Sequence, residues 1–234
     1  MTPPTRLAEN LSRVRARIAA AADRAGRPPE DIQLIAVTKY VDAEAIAGLL
    51  ETGCCELGEN RPQHLWEKAE RLRDREPHWQ MIGHLQRNKI RRTLPWITRL
   101  HSGDSKRLLQ AVDREAAEQG RVVEVLLEVN ISGESAKHGF TPAEAETLAP
   151  QLSEWPHLRV SGLMGMARQG EPEEVRRDFA NLRELRDRLQ TLCPSGVELR
   201  ELSMGMSGDF EIAIEEGATL VRVGSALWEG FTAQ

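Results

Sequence analysis

A lysine follows a run of apolar residues that has the pattern of a buried β-strand. The run covers Ile32–Thr38, and Lys39 comes directly after it. Partial burial and a nearby cation lower the pKa of a lysine, and the resulting neutral amine can form an imine with an aldehyde. For an isolated lysine, an amine that extends to water or pairs with a carboxylate is the commoner case. Lys39 is therefore a candidate nucleophile that needs support from other parts of the chain.

Two segments near the end of the chain have the composition of an anion-binding turn. They are Ser203–Asp209 and Arg222–Ala226, and each follows a predicted strand. Small residues let backbone amides approach an anion, hydroxyl groups add donors, and a helix start adds a favourable dipole. Glycine-containing turns without a ligand have the same composition. Together with a lysine nucleophile, the segments indicate a phosphorylated aldehyde or ketone, either pyridoxal 5′-phosphate (PLP) or the sugar phosphate of an aldolase.

An arginine stands beside the second of these segments. Arg222 ends the last predicted strand. If its permanent positive charge faced a pyridine nitrogen, it would oppose protonation of the ring, and an unprotonated ring is a weaker electron sink. A structural salt bridge to a carboxylate would explain an arginine here equally well.

The elements that must position these residues alternate between strand and helix patterns after a leading amphipathic helix, which carries an apolar stripe and ends near Gly26–Pro29. Strands are predicted at Ile32–Thr38, Cys54–Leu57, Trp79–Ile82, Ile97–His101, Val122–Val129, Leu158–Met164, Val197–Leu202 and Leu220–Val223. Helices are predicted at Glu44–Leu50, Gln63–Leu72, Lys106–Glu118, Ala143–Leu152, Val175–Leu189 and Phe210–Glu215. This order predicts a (β/α)8 TIM barrel, with a doubly wound open sheet as the competing fold.

The predicted barrel brings the candidate residues together, because the loops at the carboxyl ends of its strands converge over one face. Polar and small residues follow most of the strands: Lys39, Gly58-Glu59-Asn60, Gly83-His84, Ser102-Gly103-Asp104, Asn130, Ser203-Met204-Gly205 and Gly224-Ser225. Barrels often bind phosphate after the seventh and eighth strands, where the two anion-binding segments fall.

Composition narrows the possible partners and locations. The chain has 234 residues and a net charge of −5, with both signs interspersed and no basic stripe, so nucleic acid and anionic membrane are not expected as partners. It shows neither a membrane-spanning run nor an apolar signal core, which predicts a cytoplasmic protein. Its three cysteines lack the spacing of a disulfide framework or a zinc site, so no metal is expected.

Six segments spread over nearly the whole chain resemble the YggS/PROSC family of PLP homeostasis proteins, and they occur in the family's order. They are Ala36–Lys39, Leu57–Arg61, Trp79–Lys89, Leu163–Met166, Leu202–Ser207 and Val221–Gly230. The run from Ile82 to Gln86, followed by Asn88-Lys89, is the most specific of them. Pro62 and Arg87 depart from the family's usual residues and leave the shape of two loops open.

The resemblance implies a single domain over residues 1–234, with a leading helix at 1–27 and a barrel at 32–230 similar to the amino-terminal domain of alanine racemase, a PLP fold of type III. It implies that Lys39 holds PLP as a Schiff base. The other cofactor-binding residues that it implies are Ser203, Gly205, Gly224 and Ser225 around the phosphate, Arg222 at the pyridine nitrogen, and Asn60 and His84 at the mouth of the barrel.

The resemblance also implies a non-enzymatic protein that stores, shields or delivers PLP, with PLP-dependent apo-enzymes as further partners and a monomeric state. Racemisation by two bases needs a second acid or base. The only tyrosine is Tyr40, which would point away from Lys39 if the strand stayed extended. His84 is the remaining candidate, so a weak racemase or decarboxylase is the alternative, followed by a Schiff-base aldolase and a structural module. Lys137, in a predicted mobile loop at Ile131–Phe140, is a less favoured second site for PLP.

Overall fold

Parallel strands close into an eight-stranded barrel in the computed structural model, which describes residues 3–134 and 137–231. The strands are β1 (Gln33–Val37), β2 (Glu56–Glu59), β3 (His78–Met81), β4 (Ile97–Gly103), β5 (Val123–Val129), β6 (Leu158–Gly165), β7 (Glu201–Ser203) and β8 (Leu220–Val223). Because β1 pairs with both β2 and β8, the sheet has no open edge. The predicted (β/α)8 barrel is confirmed. Residues 1, 2, 135, 136 and 232–234 of the predicted domain lie outside the described residues.

Helices cover the outside of this barrel. They are α1 (Pro3–Arg24), α2 (Ala43–Leu50), α3 (Pro62–Arg71), α4 (Ile90–Thr93), α5 (Lys106–Glu118), α6 (Pro142–Leu148), α7 (Pro172–Leu192) and α8 (Phe210–Glu215). The predictions for α5 and α8 have the observed bounds. The predicted helix Ala143–Leu152 divides, since α6 ends at Leu148 and a 3-10 helix containing Pro150 follows.

Strand residues alternate between the inside of the barrel and the helical layer. Along β5, the odd-numbered valines and Leu127 belong to the large core beneath the helices, whereas Leu126 packs with Ile35, Met164 and Leu220 in a separate small cluster. The period of two therefore points Glu124 and Glu128 into the barrel with Leu126.

The amino-terminal end of the barrel interior is filled by charged and polar groups. Arg99 donates a 2.7 Å hydrogen bond to Glu124, and Ser161 and Arg159 also donate to this carboxylate. Burial raises the pKa of Glu124, but the charge of Arg99 and these hydrogen bonds outweigh it and lower the pKa overall. A satisfied ion pair therefore fills this end and leaves the opposite end for the site.

The leading helix packs against the closing elements of the barrel. The apolar stripe of α1 is buried, as predicted, and includes Leu7, Leu11, Val14 and Ile18. Asn10, on the same helix, is buried and donates from Nδ2 to the carbonyls of Leu227 and Glu229, at 3.0 and 2.9 Å. As a result, α1 supports the turn that follows β8.

Two strands, β2 and β7, begin two or more residues later than the sequence indicates. Predicted strand residues Val197 and Leu199 bond through their backbones to the Gln190 side chain on α7, at 2.9 and 2.7 Å, so β7 starts only at Glu201. Gly58 has the composition of a turn but lies inside β2, where an added Cβ would come within 2.9 Å of Ile35. Glycine is needed there because the barrel interior leaves no room for a side chain.

Across the described part of the chain, no helix is both long and apolar enough to cross a membrane.

Candidate functional site

The candidate nucleophile lies on an exposed turn at the mouth of the barrel. β1 ends at Val37, and Lys39 occupies the turn that follows it. The amine of Lys39 lies 4.7 Å from the centroid of the Tyr40 ring. The expectation that the two side chains point to opposite faces required an extended backbone, and this condition is not met because residues 39 and 40 lie in a turn. Lys39 is accessible to a ligand from solvent.

A buried ion pair between Lys68 and Glu59 stabilises the turn that carries Lys39. The amine of Lys68, on α3, donates hydrogen bonds to the Glu59 carboxylate, at 2.6 Å, and to the carbonyl of Thr38, at 2.7 Å. Thr38 is the residue before Lys39. The Thr38 hydroxyl donates to the same Glu59 carboxylate, at 3.2 Å. Because Glu59 is fully buried, this ion pair holds the end of β1 against β2 and α3.

Asn60 brings an unsatisfied polar atom to the same end of the barrel. Its backbone N–H donates to Glu59, at 2.8 Å, while its buried side-chain Oδ1 has no partner among the described residues. Gly83 permits this approach of the two loops, because an added Cβ would lie 2.3 Å from the Asn60 carbonyl oxygen. An orphaned buried amide is costly unless a ligand contacts it.

His84 is oriented by an acidic residue of the next loop. Its Nδ1 lies 2.6 Å from Asp104 Oδ2, and its ring stacks on His138 with the centroids 5.1 Å apart. The His84 side chain is about half exposed, whereas that of Asp104 is nearly buried. The imidazole thus lies at the rim of the mouth with one nitrogen engaged.

Arg222 is buried inside the barrel beneath the mouth. Nη1 donates to the carbonyl and hydroxyl oxygens of Ser203, at 2.7 and 2.6 Å, and Nη2 donates to the carbonyl of Gly165, at 3.1 Å. Burial lowers the pKa of Arg222 to about 10, with Asp209 and Glu128 opposing that shift. The guanidinium is therefore charged at neutral pH.

The resemblance implies that Ser203 contacts the phosphate, and the structure places this residue among other polar groups. Ser203 is fully buried as the last residue of β7, and its hydroxyl already contacts Arg222 and His101, the latter at 2.9 Å. Burial, together with the charges of Arg222 and Arg99, lowers the pKa of His101 well below its ordinary value, so the imidazole is neutral. In this structure, Ser203 accepts hydrogen bonds from Arg222 and so helps to position its guanidinium.

A different serine, Ser207, lies where the two predicted anion-binding segments meet. We call the Ser207 hydroxyl and the backbone N–H groups of Gly224 and Ala226 the anion cradle. The hydroxyl oxygen of Ser207 accepts hydrogen bonds from the backbone N–H groups of Gly224 and Ala226, at 3.1 and 3.4 Å. The two donors therefore converge on one point, and Ser225 between them is exposed. This is the arrangement that a phosphate oxygen could share or replace.

Gly205 shapes the other side of this cradle. Its φ is +90°, and an added Cβ would lie 2.6 Å from the Cβ of Ala213. Its carbonyl accepts from the backbone N–H of Arg222, at 3.0 Å, which continues the pairing of β7 with β8. Gly205 thus positions the loop rather than offering a side-chain ligand.

A hydrogen bond connects the segment after the cradle to the strand that precedes the lysine turn. The indole N–H of Trp228 donates to the carbonyl of Val37, at 2.7 Å, and both groups are buried. Since Val37 ends β1 and Trp228 follows the cradle, the convergent N–H donors and Lys39 belong to one connected unit.

Sequence reasoning missed one acidic residue of the mouth. Glu128 faces into the barrel and is only 6% exposed. Burial and the charge of Asp104 raise its pKa to about 7, with Arg222 and His84 acting in the opposite direction. The signal was available, because Glu124 and Glu128 are separated by four residues in a strand of period two and so share the interior face.

Lys137 is already engaged by its own surroundings. Its amine donates to the hydroxyl of Ser132 and the carbonyl of Ala167, each at 2.9 Å, and pairs with Glu134. Two residues of the predicted loop, Ser135 and Ala136, lie outside the described residues. The contacts of Lys137 do not support a second PLP site on its amine.

The mouth therefore combines an accessible amine, a cradle of convergent N–H donors, a buried cation and an unsatisfied amide. Such a set can bond an aldehyde, hold a phosphate and face an aromatic ring with a polar edge. In the described ranges, no group of three His, Cys, Asp or Glu side chains is arranged to hold a metal ion.

Comparison with known proteins gives a consistent result. The family model described as the alanine racemase N-terminal domain matches residues 10–230. A pyridoxal phosphate homeostasis protein of Aquifex aeolicus is 42% identical over 94% of this chain and 96% of the relative, and one from Pseudomonas aeruginosa is 38% identical over 95% and 94%. PipY of Synechococcus elongatus PCC7942, solved with PLP bound, is 36% identical with a TM-score of 0.82, over 94% of this chain and 99% of PipY.

Proposed function

Because the chain belongs to the family of pyridoxal phosphate homeostasis proteins, within the alanine racemase N-terminal domain family, we propose that it is a non-enzymatic carrier of PLP. In this role it holds the cofactor as a Schiff base on Lys39 and maintains the intracellular supply of vitamin B6. PLP supplies an aldehyde and an electron-withdrawing ring, and the residues of the chain bind, orient and shield it.

The observation that carries the proposal is the connection of the lysine turn to the cradle through Trp228 and Val37. A phosphorylated aldehyde needs an amine and a set of anion donors a fixed distance apart. Lys39 supplies the amine, and the N–H groups of Gly224 and Ala226, with the hydroxyl of Ser207, supply the donors. Ser225, exposed in the same turn, is a further phosphate contact in this proposal.

Two other residues fit the ring of the cofactor. Arg222 would face the pyridine nitrogen, and its positive charge would keep that nitrogen unprotonated. The orphaned Asn60 amide would gain a partner from a polar ring substituent. An unprotonated ring is a weaker electron sink, so the site would be poorly suited to carbanion chemistry.

The alternative is a weak amino-acid racemase or decarboxylase. Tyr40 is 73% exposed and lies beside Lys39 rather than across from it, so it does not supply a base on the opposite side. His84 is already paired with Asp104 at the rim. These placements favour the carrier, and steady-state assays with single amino acids would distinguish the two functions.

Partners and location follow from the carrier role. PLP-dependent apo-enzymes would receive the cofactor from the exposed mouth, and we propose that the protein acts as a monomer in the cytoplasm. The free thiols of Cys54, Cys55 and Cys193 fit a reducing compartment. Light scattering coupled to gel filtration would measure the mass of the protein in solution. The mass of a dimer would contradict the proposed monomer.

The test is the absorbance spectrum of the protein with added PLP, followed by borohydride reduction and peptide mapping. We expect an imine band for the native chain and for Lys106→Ala, an exposed lysine that serves as the control, and none for Lys39→Ala. The reduced adduct should map to Lys39. A native protein without an imine band, or an adduct on another residue, would overturn the assignment.

A further inference from the structure

Glu128 is a buried carboxylate at the mouth for which the proposed function has no use. It lies on the interior face of β5, with Val129 as the last residue of that strand. Its neighbours in register and on the same face are apolar, namely Met164 on β6 and Leu126 on β5. Glu128 is more than nine-tenths buried, and its side chain is directed towards the inside of the barrel.

The carboxylate has no hydrogen-bond donor among the described residues. The backbone carbonyl of Glu128 accepts from the N–H of Phe140, at 2.8 Å. Burial and the charge of Asp104 raise the pKa of its side chain, and the charges of Arg222 and His84 act in the opposite direction. Arg222 is the nearest buried cation, yet its two terminal nitrogens donate to Ser203 and Gly165. Asp104 holds His84.

A residue of the same strand shows what a satisfied carboxylate looks like in this barrel. Glu124 lies four positions earlier on the same interior face and accepts from Arg99, Arg159 and Ser161. Its pKa is lowered, whereas that of Glu128 is raised. Burial of an unpaired carboxylate is costly, so Glu128 is the interior position of β5 at which an added cation would gain most.

We propose that Glu128 is the binding residue for a primary ammonium group that enters the mouth from solvent. This inference rests on the proposed function and deepens it, because it names primary amines as the chemical class that takes PLP from Lys39. An ammonium group fits the site better than a metal ion, since it needs one carboxylate and carries three donors, and no three-ligand metal cluster occurs in the described ranges.

The nearby charges favour a cation at this point. Asp104, on the loop after β4, adds a second negative charge, and it reinforces the raised pKa of Glu128. His84 and Arg222 face the same carboxylate from the β3 loop and from β8, and both already have hydrogen-bond partners. Neither residue donates a hydrogen bond to Glu128, so an ammonium group would not have to displace a donor from this carboxylate.

The carboxylate would also prepare the amine for reaction. A proton passes from the ammonium nitrogen to Glu128, which leaves a neutral amine and a neutral carboxyl group. The neutral amine would then displace Lys39 from the imine carbon. The C=N bond to Lys39 would be replaced by a C=N bond to the incoming nitrogen, and the two N–H protons of the incoming amine would pass to the Lys39 nitrogen, so the exchange needs no oxidant or reductant.

The first test uses the protein without PLP. Glutamate carboxyl carbons labelled with 13C are titrated by NMR, and Glu128→Gln identifies the signal of Glu128. We expect ethylammonium chloride to lower the titration midpoint of Glu128 in a saturable way. Tetramethylammonium chloride at equal ionic strength, which has no N–H donor, should lower it much less. The Glu124 signal is the internal control and should respond equally to both salts.

Equal responses of Glu128 to the two salts would overturn the proposal. It would also fail if pyridoxine 5′-phosphate, which binds without an aldehyde, abolished the effect of ethylammonium, because the carboxylate would then lie beneath the cofactor. Since the titration uses neither PLP nor Lys39, it can succeed or fail independently of the proposed carrier function.

A second test follows the loss of the PLP imine band after ethylamine is added. Glu128→Gln should slow this exchange by about tenfold or more, since a hydrogen bond to a charged group contributes roughly 1.5–3 kcal/mol. Glu154→Gln, at an exposed position of the 3-10 helix after α6, is the control and should exchange at the native rate. A native rate in Glu128→Gln would contradict the role of Glu128.

Discussion

The indole N–H of Trp228 donates a 2.7 Å hydrogen bond to the backbone carbonyl of Val37, across the closure of the barrel between β8 and β1. Val37 precedes the turn with the candidate nucleophile, and Trp228 follows the anion cradle. From α1, the Asn10 side chain donates to the carbonyls of Leu227 and Glu229. The relative position of amine and cradle thus depends on contacts far apart in sequence.

Replacement of Trp228 by phenylalanine tests this connection. Trp228→Phe leaves the buried Val37 carbonyl without its donor, so we expect a loss of about 1–3 kcal/mol in the free energy of unfolding and weaker retention of PLP. Trp79→Phe is the matched control, because that buried indole N–H has no partner among the described residues. Urea unfolding and PLP titration measure both effects. Equal losses of PLP affinity in the two variants would contradict the connection.

Removal of one partner of the buried Glu59–Lys68 ion pair should lower the free energy of unfolding more than removal of both charges. Lys68→Met leaves Glu59 charged and fully buried, so we expect a loss of about 3–5 kcal/mol in the free energy of unfolding. The double variant Glu59→Gln/Lys68→Met removes both charges and should regain most of that stability. Denaturant unfolding of the three chains checks this. A double variant no more stable than Lys68→Met would argue against the ion pair as the cause.

Ser207 and Ser203 can be compared through the same substitution. Ser207→Ala removes the hydroxyl at the cradle, so we expect the dissociation constant of pyridoxine 5′-phosphate to rise by about tenfold, the size of one charge-assisted hydrogen bond. Ser203→Ala removes a buried partner of Arg222 and His101 and should mainly lower stability. Isothermal titration calorimetry and thermal unfolding separate the two. A larger affinity loss in Ser203→Ala would favour Ser203 as the phosphate contact, as the family resemblance implies.

Glu128 should make stability depend on pH in a defined direction. Its pKa rises from the ordinary 4.5 to about 7 in the folded chain, chiefly because of burial. Between these values the folded state binds more protons than the unfolded state, so stability is full at low pH and is lost as the pH rises through about 7. Relative to Glu128→Gln, the native protein should lose up to about 3 kcal/mol over this interval. Parallel pH dependences of the two proteins in urea unfolding would refute this.

Much of the fold could be predicted because it depends on local patterns. The apolar stripe of α1, the bounds of α5 and α8 and the strand β8 follow from spacing of apolar residues within one element. The shifted starts of β2 and β7 could not be predicted from such patterns. In β7, the Gln190 side chain bonds to the residues before Glu201. In β2, the strand continues through Gly58 and Glu59, where the nearby Ile35 leaves no room for a side chain on Gly58.

The sequence by itself determined the order of eight strand and helix units, the position of Lys39 after β1 and the glycine- and serine-rich segments after β7 and β8, because these features are written in short stretches of residues. Only the tertiary structure decided which serine reaches the cradle, that Lys68 bonds to the turn of Lys39, and that Glu128 is buried with no side-chain hydrogen-bond donor among the described residues. The physical reason is that hydrogen bonding and burial of a side chain depend on groups brought together by closure of the barrel, and their separation along the chain carries no local signal.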